Sequence, residues 1–215
     1  MAERQLDYDR EVALQQLPPG VRPAFKALWN LDLAFADVVA TSTDPNLGAI
    51  RLAWWRERLE VLDEGAVPAE PRLQLVANEL LPRRITGAEL SKLEDAWLPL
   101  LQPLAWDDAQ VEGLKLRGRV LFGIGANLLG ASPTDAETAG ELWSLSDGAH
   151  HCSDSDTRNL LLREAAALAP TRAAAKVRPL TLLAALSAHD ACPRGSFSRG
   201  LTALRHRYRG TFPRG

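Results

Sequence analysis

Apolar residues recur at three- and four-residue steps along nearly the whole chain, and no convincing stretch alternates with period two. In "RPAFKALWNLDLAFADVVA", Phe25, Leu28, Leu31, Phe35, Val38 and Val39 keep that spacing without a break. A helical turn takes about 3.6 residues, so the series makes one continuous apolar stripe, whereas a half-buried strand needs strict alternation. The chain is therefore expected to be all-α, with helices that bury their stripes against one another. A hydrophobic fraction of 46% over 215 residues supplies a sizeable core. With no internal repeat and no long linker, residues 1–215 read as one helical bundle.

The punctuation divides this bundle. A short helix from about Arg4 to Leu17 stops at "LPPG", and Pro23 suits the first turn of the next. "TSTDPN" ends that second helix; Asp44 is the expected N-cap of a third, with Pro45 just inside it. A helix over Arg72 to Leu81 follows, and "TGAE" has the spacing of a capping box on Thr86 and Glu89. From about Asp108 to Leu129 runs a helix carrying Gly113, Gly118, Gly123 and Gly125. Glycine costs about 1 kcal/mol inside a helix relative to alanine, so these positions imply close approach to that backbone by another helix or by a ligand. "SPTD" starts the next helix, which runs to His151. Further helices are expected from Asp156 to Leu168, from Pro179 through "PLTLLAALSAHDAC", and from Leu201 to Tyr208.

Charge and cysteine content exclude several classes. A net charge of -2 gives no reason to expect a nucleic-acid partner. Cys152 and Cys192 lack metal-ligand spacing and are expected to be reduced thiols. The start "MAERQLDYDREV" has no apolar signal segment, and no apolar run approaches the roughly 20 residues that span a bilayer. A cytoplasmic location is expected, with peripheral membrane contact as its variant. After Asp190 no acid occurs, while six arginines follow. Residues from about 194 onward thus form a basic helix and tail, either solvated or drawn to anionic lipid or an acidic protein face.

The segment "LGAIRLAWWRERLE" sets Trp54 beside Trp55, about 100° apart on a helix. One narrow stripe cannot bury both rings. Taken with "LPPGVRPAFKALWNLDLAFADVVA", the glycine-rich helix and "AGELWSLSDGAHHCSD", this order and spacing resembles the squalene/phytoene synthase-like family over about Leu17 to Leu162. The resemblance implies an all-α isoprenoid-synthase fold, shortened at its C-terminus relative to typical members. It also implies that the tryptophan helix is sandwiched between neighbours, which would bury both rings.

The family's chemistry condenses two prenyl diphosphates head to head, with Mg²⁺ bound by acidic motifs on two facing helices. Mg²⁺ requires hard oxygen ligands, and carboxylates four apart on a helix lie on one face. By the resemblance, the first motif falls on Ala36 to Ala40, where Asp37 alone remains. Asp32 is five residues from Asp37, about 140° away, and does not converge with it. The second motif falls on His151 to Ser155 and has lost both acids. The family's upstream Gln and Asn positions fall on Ser144 and Asp147, and its arginine on His150. Asp147, His150, His151, Cys152 and Asp154 offer a weaker alternative, a borderline-metal cluster of the kind Zn²⁺ takes, set against a helix end followed by an N-cap. His189, Asp190 and Cys192 read as a solvated or capping end.

The reading is a divergent, non-catalytic family member that binds a lipid, a prenyl compound or a protein partner and needs no cofactor. The residues expected to face its ligand are Phe35, Asp37, Gly118, Phe122, Trp143, Asp147 and His151. By the same resemblance, a mitochondrial assembly factor for respiratory complex I departs from the acidic motifs, which makes an assembly role one form of this reading. Two alternatives stand beside it: a Mg²⁺-dependent prenyltransferase acting on farnesyl or geranylgeranyl diphosphate, and a helical scaffold with a filled core and no ligand.

Overall fold

A computed structural model of the chain describes residues 6–168, 172–187 and 196–213. Among these residues the elements are α1 (Tyr8–Gln16), α2 (Arg22–Thr41), α3 (Pro45–Leu62), α4 (Pro71–Glu79), α5 (Gly87–Trp97), α6 (Asp108–Leu128), α7 (Glu137–His151), α8 (Ser155–Ala167), α9 (Arg178–Ser187) and α10 (Phe197–Arg209). Short 3₁₀ turns join several of them, and no strand occurs among the described residues.

Local chemistry sets many of the boundaries. Asp44 caps α3 by accepting from the Asn46 N–H at 2.8 Å, with Pro45 in the first turn. Thr86 and Glu89 make the reciprocal capping box that opens α5. Asp7 caps the first helix, its carboxylate accepting from the Arg10 N–H at 2.9 Å, and Arg4 lies outside the described residues. Ser132 opens only a 3₁₀ turn over Pro133–Asp135, and α7 begins after it at Glu137. The last helix is longer than its apolar spacing suggests, since Ser196 caps it and Gly210 closes it in a left-handed conformation. His189, Asp190 and Cys192 lie outside the described residues.

α2 forms the axis of the core. Phe25, Leu28, Leu31 and Phe35 are fully buried, in the spacing read from the sequence. Phe35 meets Trp55 of α3 with ring centroids 6.0 Å apart. Trp54 differs from expectation: it stacks edge-on against Trp55 at 5.2 Å but remains 41% exposed. The neighbours of α3 are α2, α4, α5 and the 98–101 turn. They cover the Trp55 side of the helix and leave a face about 100° away in solvent. Arg56, on the far flank of Trp55 from Trp54, pairs with the buried Glu94 of α5 at 3.3 Å.

The glycine-rich α6 lies against α7 in the most extensive helix contact of the molecule. A Cβ on Gly118 would collide with the carbonyl of Gly140 on α7, and one on Gly140 would collide with that of Gly118. The two backbones thus touch through a pair of missing side chains. Gly113 does the same for the Ala96 carbonyl on α5, where a Cβ would stand at 2.8 Å.

At the far end α10 packs on α9 through His206, which is fully buried. Its Nδ1–H donates to the Thr211 carbonyl at 3.0 Å, and its Nε2 lies 2.9 Å from the Thr181 hydroxyl. Burial holds its pKa below the ordinary histidine value, the bond to Thr211 only partly opposing it.

Gly118→Ala should destabilise the fold by about 3 kcal/mol, the upper end for overpacking, because backbone stands on both sides. Gly20 is the matched control, since a Cβ added there would meet nothing within 4 Å. Urea unfolding of G118A and G20A checks the difference, with G20A expected close to the parent.

Candidate functional site

Three charged side chains interrupt apolar stripes, and the fold brings all three together. Arg10 lies on the stripe of Ala13, Leu14 and Leu17 in α1; Asp32 on that of Leu28 and Phe35 in α2; Arg117 on that of Leu114, Leu121 and Ile124 in α6. Each is buried, Asp32 completely. A buried charge is tolerated only when it is paired and hydrogen-bonded, and here the pairing is dense.

The Arg117 guanidinium forks onto Asp32, donating from Nε to Oδ1 at 2.8 Å and from Nη2 to Oδ2 at 2.7 Å. Its remaining Nη1 reaches across to Asp147 Oδ2 on α7 at 2.8 Å. Asp32 also accepts from the Trp97 indole N–H at 3.1 Å and from Arg10 Nη2 at 3.3 Å. Arg10 is held in turn by Asp7. The flat face of Arg117 lies between two indoles, Trp97 and Trp143, each 4.7 Å from ring centroid to guanidinium carbon. Arg10 lies over the same Trp143 at 5.0 Å. Five helices, α1, α2, α5, α6 and α7, thus meet at one polar node.

The charges at the node reinforce each other. Burial disfavours ionised Asp147, but the Arg117 and Arg10 guanidiniums and His151 outweigh it and hold its pKa down to about 2. Burial likewise works against the Arg117 cation, and the Asp32 and Asp147 carboxylates raise its pKa above the ordinary value regardless. Arg117 is a permanent cation fixed between two acids.

Above the node opens a cavity of about 890 Å³. Its walls are mainly apolar: Leu33, Ala36, Val39 and Ala40 from α2, Leu100, Leu101, Leu104 and Trp106 from the segment after α5, Leu114 from α6 and Leu183 from α9. Arg117, Trp143 and Asp147 form its polar floor, and His150, His151 and Ser153 stand at the end of α7. Arg199 of α10 borders it as well and pairs with Asp9 of α1.

Of the residues expected at the ligand, the structure brings Trp143, Asp147 and His151 to this cavity. It does not bring the other four. Asp37 is not among the residues that line the cavity and pairs with Arg72 of α4 at 3.1 Å. Phe35 packs into the core against Trp55, Gly118 sits at the backbone contact with Gly140, and Phe122 is buried beneath Trp143 with ring centroids 5.5 Å apart. Asp32, which cannot converge with Asp37 on one ion, is the hub instead. Its partners Arg10, Trp97 and Arg117 are not among the residues expected from the sequence. The signal that points to them is a charge of each sign on a stripe that must be buried.

The side chains that α2 presents to the cavity do not fit a Mg²⁺ cluster. The face of α2 that borders the cavity carries Leu33, Ala36 and Ala40, whose side chains have no oxygen to offer. The two acids that do face each other, Asp32 and Asp147, are bridged by Arg117. Nor does the α7 terminus assemble a borderline-metal site. α7 ends at His151, whose Nδ1–H donates to the Asp147 carbonyl at 2.8 Å, and Asp154 is the N-cap of α8, accepting from the Thr157 N–H. Among the described residues no group of three or more His, Cys, Asp or Glu is placed to hold a metal ion.

Comparison with known proteins bears on this geometry from outside. The squalene/phytoene synthase family model matches residues 4–95, which span α1 to α5 and contain Arg10 and Asp32. Over these residues the chain is similar to the squalene/phytoene synthase family, and its described residues are all-α. The glycine-rich helix and "AGELWSLSDGAHHCSD" lie beyond the matched residues. No curated protein and no solved structure matches the chain.

Two outcomes test the node. Arg117→Met removes the guanidinium nearest to the buried Asp32, leaving it Arg10 at 3.3 Å, and the one bound to the half-buried Asp147, and should cost about 3–5 kcal/mol in urea unfolding. For pH, the depressed Asp147 pKa means its contribution is fully present above the unfolded carboxylate value of about 4 and lost as pH falls towards about 2. Asp147→Asn should remove that part of the acid dependence, worth about 2 kcal/mol, and flatten the stability profile between those limits.

Proposed function

We propose that this protein is a non-catalytic member of the squalene/phytoene synthase family that holds an uncharged isoprenoid or similar apolar lipid in the cavity above the Arg117 node. The observation that carries this reading is the Asp32–Arg117–Asp147 bridge. Ionising an allylic diphosphate needs metal cations to neutralise the departing pyrophosphate, and those cations need free carboxylate oxygens. Arg117 takes the oxygens of Asp32 in a bidentate pair, the strongest geometry available to a guanidinium. Seating a metal there would require expelling a buried arginine from between two indoles.

Charge balance supports an uncharged ligand over a diphosphate. Arg10, Arg117 and Arg199 each already face a carboxylate, among Asp7, Asp9, Asp32 and Asp147. Those acids outnumber the guanidiniums, so the site keeps no surplus positive charge to receive phosphate groups. The apolar walls offer what a hydrocarbon chain requires, and the volume falls within the ordinary range for small-molecule pockets. Binding of a lipid is compatible with an assembly or carrier role, in which the held molecule is delivered or sensed without being transformed.

Two assays on the purified protein decide the reading. Incubation with farnesyl or geranylgeranyl diphosphate and Mg²⁺ should release no pyrophosphate above the protein-free control. Geranylgeraniol should quench the fluorescence of the cavity tryptophans and bind at least tenfold more tightly than geranylgeranyl diphosphate. Pyrophosphate release at an enzymatic rate would establish a prenyltransferase instead, and absence of any prenyl binding would leave a scaffold.

A further inference from the structure

α10 wears its polarity inside out. The side packed against the protein carries Arg199 and His206, both buried, while the outward side carries Phe197, Leu201, Leu204 and Tyr208. These four follow the spacing i, i+4, i+7, i+11, which at about 100° per residue confines them to a sector roughly 60° wide. Phe197 is 87% exposed, Tyr208 69% and Leu204 54%. Exposed arginines flank the stripe, Arg205 and Arg209 on one side and Arg207 on the other. No acidic side chain occurs anywhere in residues 191–215.

The helix is fastened through its inner face and its backbone, while Phe197, Leu204 and Tyr208 stay exposed and Leu201 is half-buried. Arg199 pairs with Asp9 of α1, His206 bonds to Thr181 of α9, and Arg178 Nη1 donates to the Tyr208 carbonyl at 2.9 Å. An ordinary surface helix buries its apolar stripe and exposes its charges. Here a rigidly held helix presents aromatic and aliphatic groups to the outside, with cations on both shoulders.

We propose that α10 is a membrane-contact helix that seats the Phe197, Leu201, Leu204 and Tyr208 stripe in the interface of an anionic lipid bilayer. The chemistry matches on both counts. The apolar sector enters the boundary between headgroups and acyl chains, and the arginine shoulders meet lipid phosphates at its edges. A second copy of this chain is a poor occupant, since it would bring the same arginines face to face. No helix among the described residues is long and apolar enough to cross a membrane, so the contact is interfacial. Because Arg199 of the same helix borders the cavity, the contact also places that cavity beside the lipid surface. The proposal stands on α10 alone and does not depend on what the cavity holds.

Vesicle flotation of the full chain tests it. Vesicles of phosphatidylcholine with about 30% phosphatidylglycerol should carry the protein upward, and phosphatidylcholine alone should not. The triple variants Phe197→Ser/Leu204→Ser/Tyr208→Ser and Arg205→Gln/Arg207→Gln/Arg209→Gln should each reduce binding about tenfold or more. Circular dichroism should show parental helix content and melting for both, because the replaced side chains face outward. Failure to float with anionic vesicles overturns the proposal, as does undiminished binding by the apolar variant. Light scattering that shows a dimer, dissociated by that same variant, assigns the stripe to self-association and overturns it too.

Discussion

Asp32 and Arg117 lock together in a place water does not reach, and most of the molecule is arranged around that contact. A carboxylate and a guanidinium stripped of water lose several kcal/mol each, so the pair persists only because both carboxylate oxygens and the guanidinium are held by close partners. Trp97 and Arg10 complete the shell of Asp32, Asp147 takes the remaining arm of Arg117, and two indoles sandwich its plane. Those requirements fix the relative placement of α1, α2, α5, α6 and α7. The Gly118–Gly140 contact serves the same end by drawing α6 and α7 close enough for one guanidinium to span the space between α2 and α7.

The same contact decides what the cavity can do on the proposed reading. A metal-dependent prenyl synthase uses facing carboxylates to gather divalent cations, and here the facing carboxylates enclose a cation that is part of the chain. Arg117 supplies charge neutrality and rigidity, and it neither exchanges nor carries a phosphate away. What remains above it is a pocket with apolar walls and a floor whose charges are already matched. On this proposal the bundle serves as a container, and a structural bridge stands where a synthase would hold its metal ions.

How much of this is legible in the sequence varies with the physics involved. The helices are readable because apolar spacing, capping residues and prolines act locally: Asp44 with Pro45, Thr86 with Glu89, and the α2 stripe all stand where their chemistry puts them. The tight approach of glycine-rich α6 is readable for the same reason. The fate of Trp54 is not, since it depends on which side of α3 other helices cover. The node is the largest omission. Asp32 lies 85 residues from Arg117, and no local rule joins them; only the presence of opposite charges on stripes that must be buried hints that they meet. The acidic positions expected from the family point to Asp37, which pairs with Arg72.

The central claim is that the crevice between α2 and α7 holds its own cation and therefore gathers no divalent metal. Titration of the protein with Mn²⁺ in the presence of pyrophosphate, followed by electron paramagnetic resonance of the free ion, measures this directly. The account predicts that stoichiometric protein leaves the free-ion signal unchanged relative to a buffer-and-pyrophosphate control up to millimolar metal. Depletion of the signal by two or three equivalents per chain, abolished by Asp32→Asn or Asp147→Asn, would contradict it.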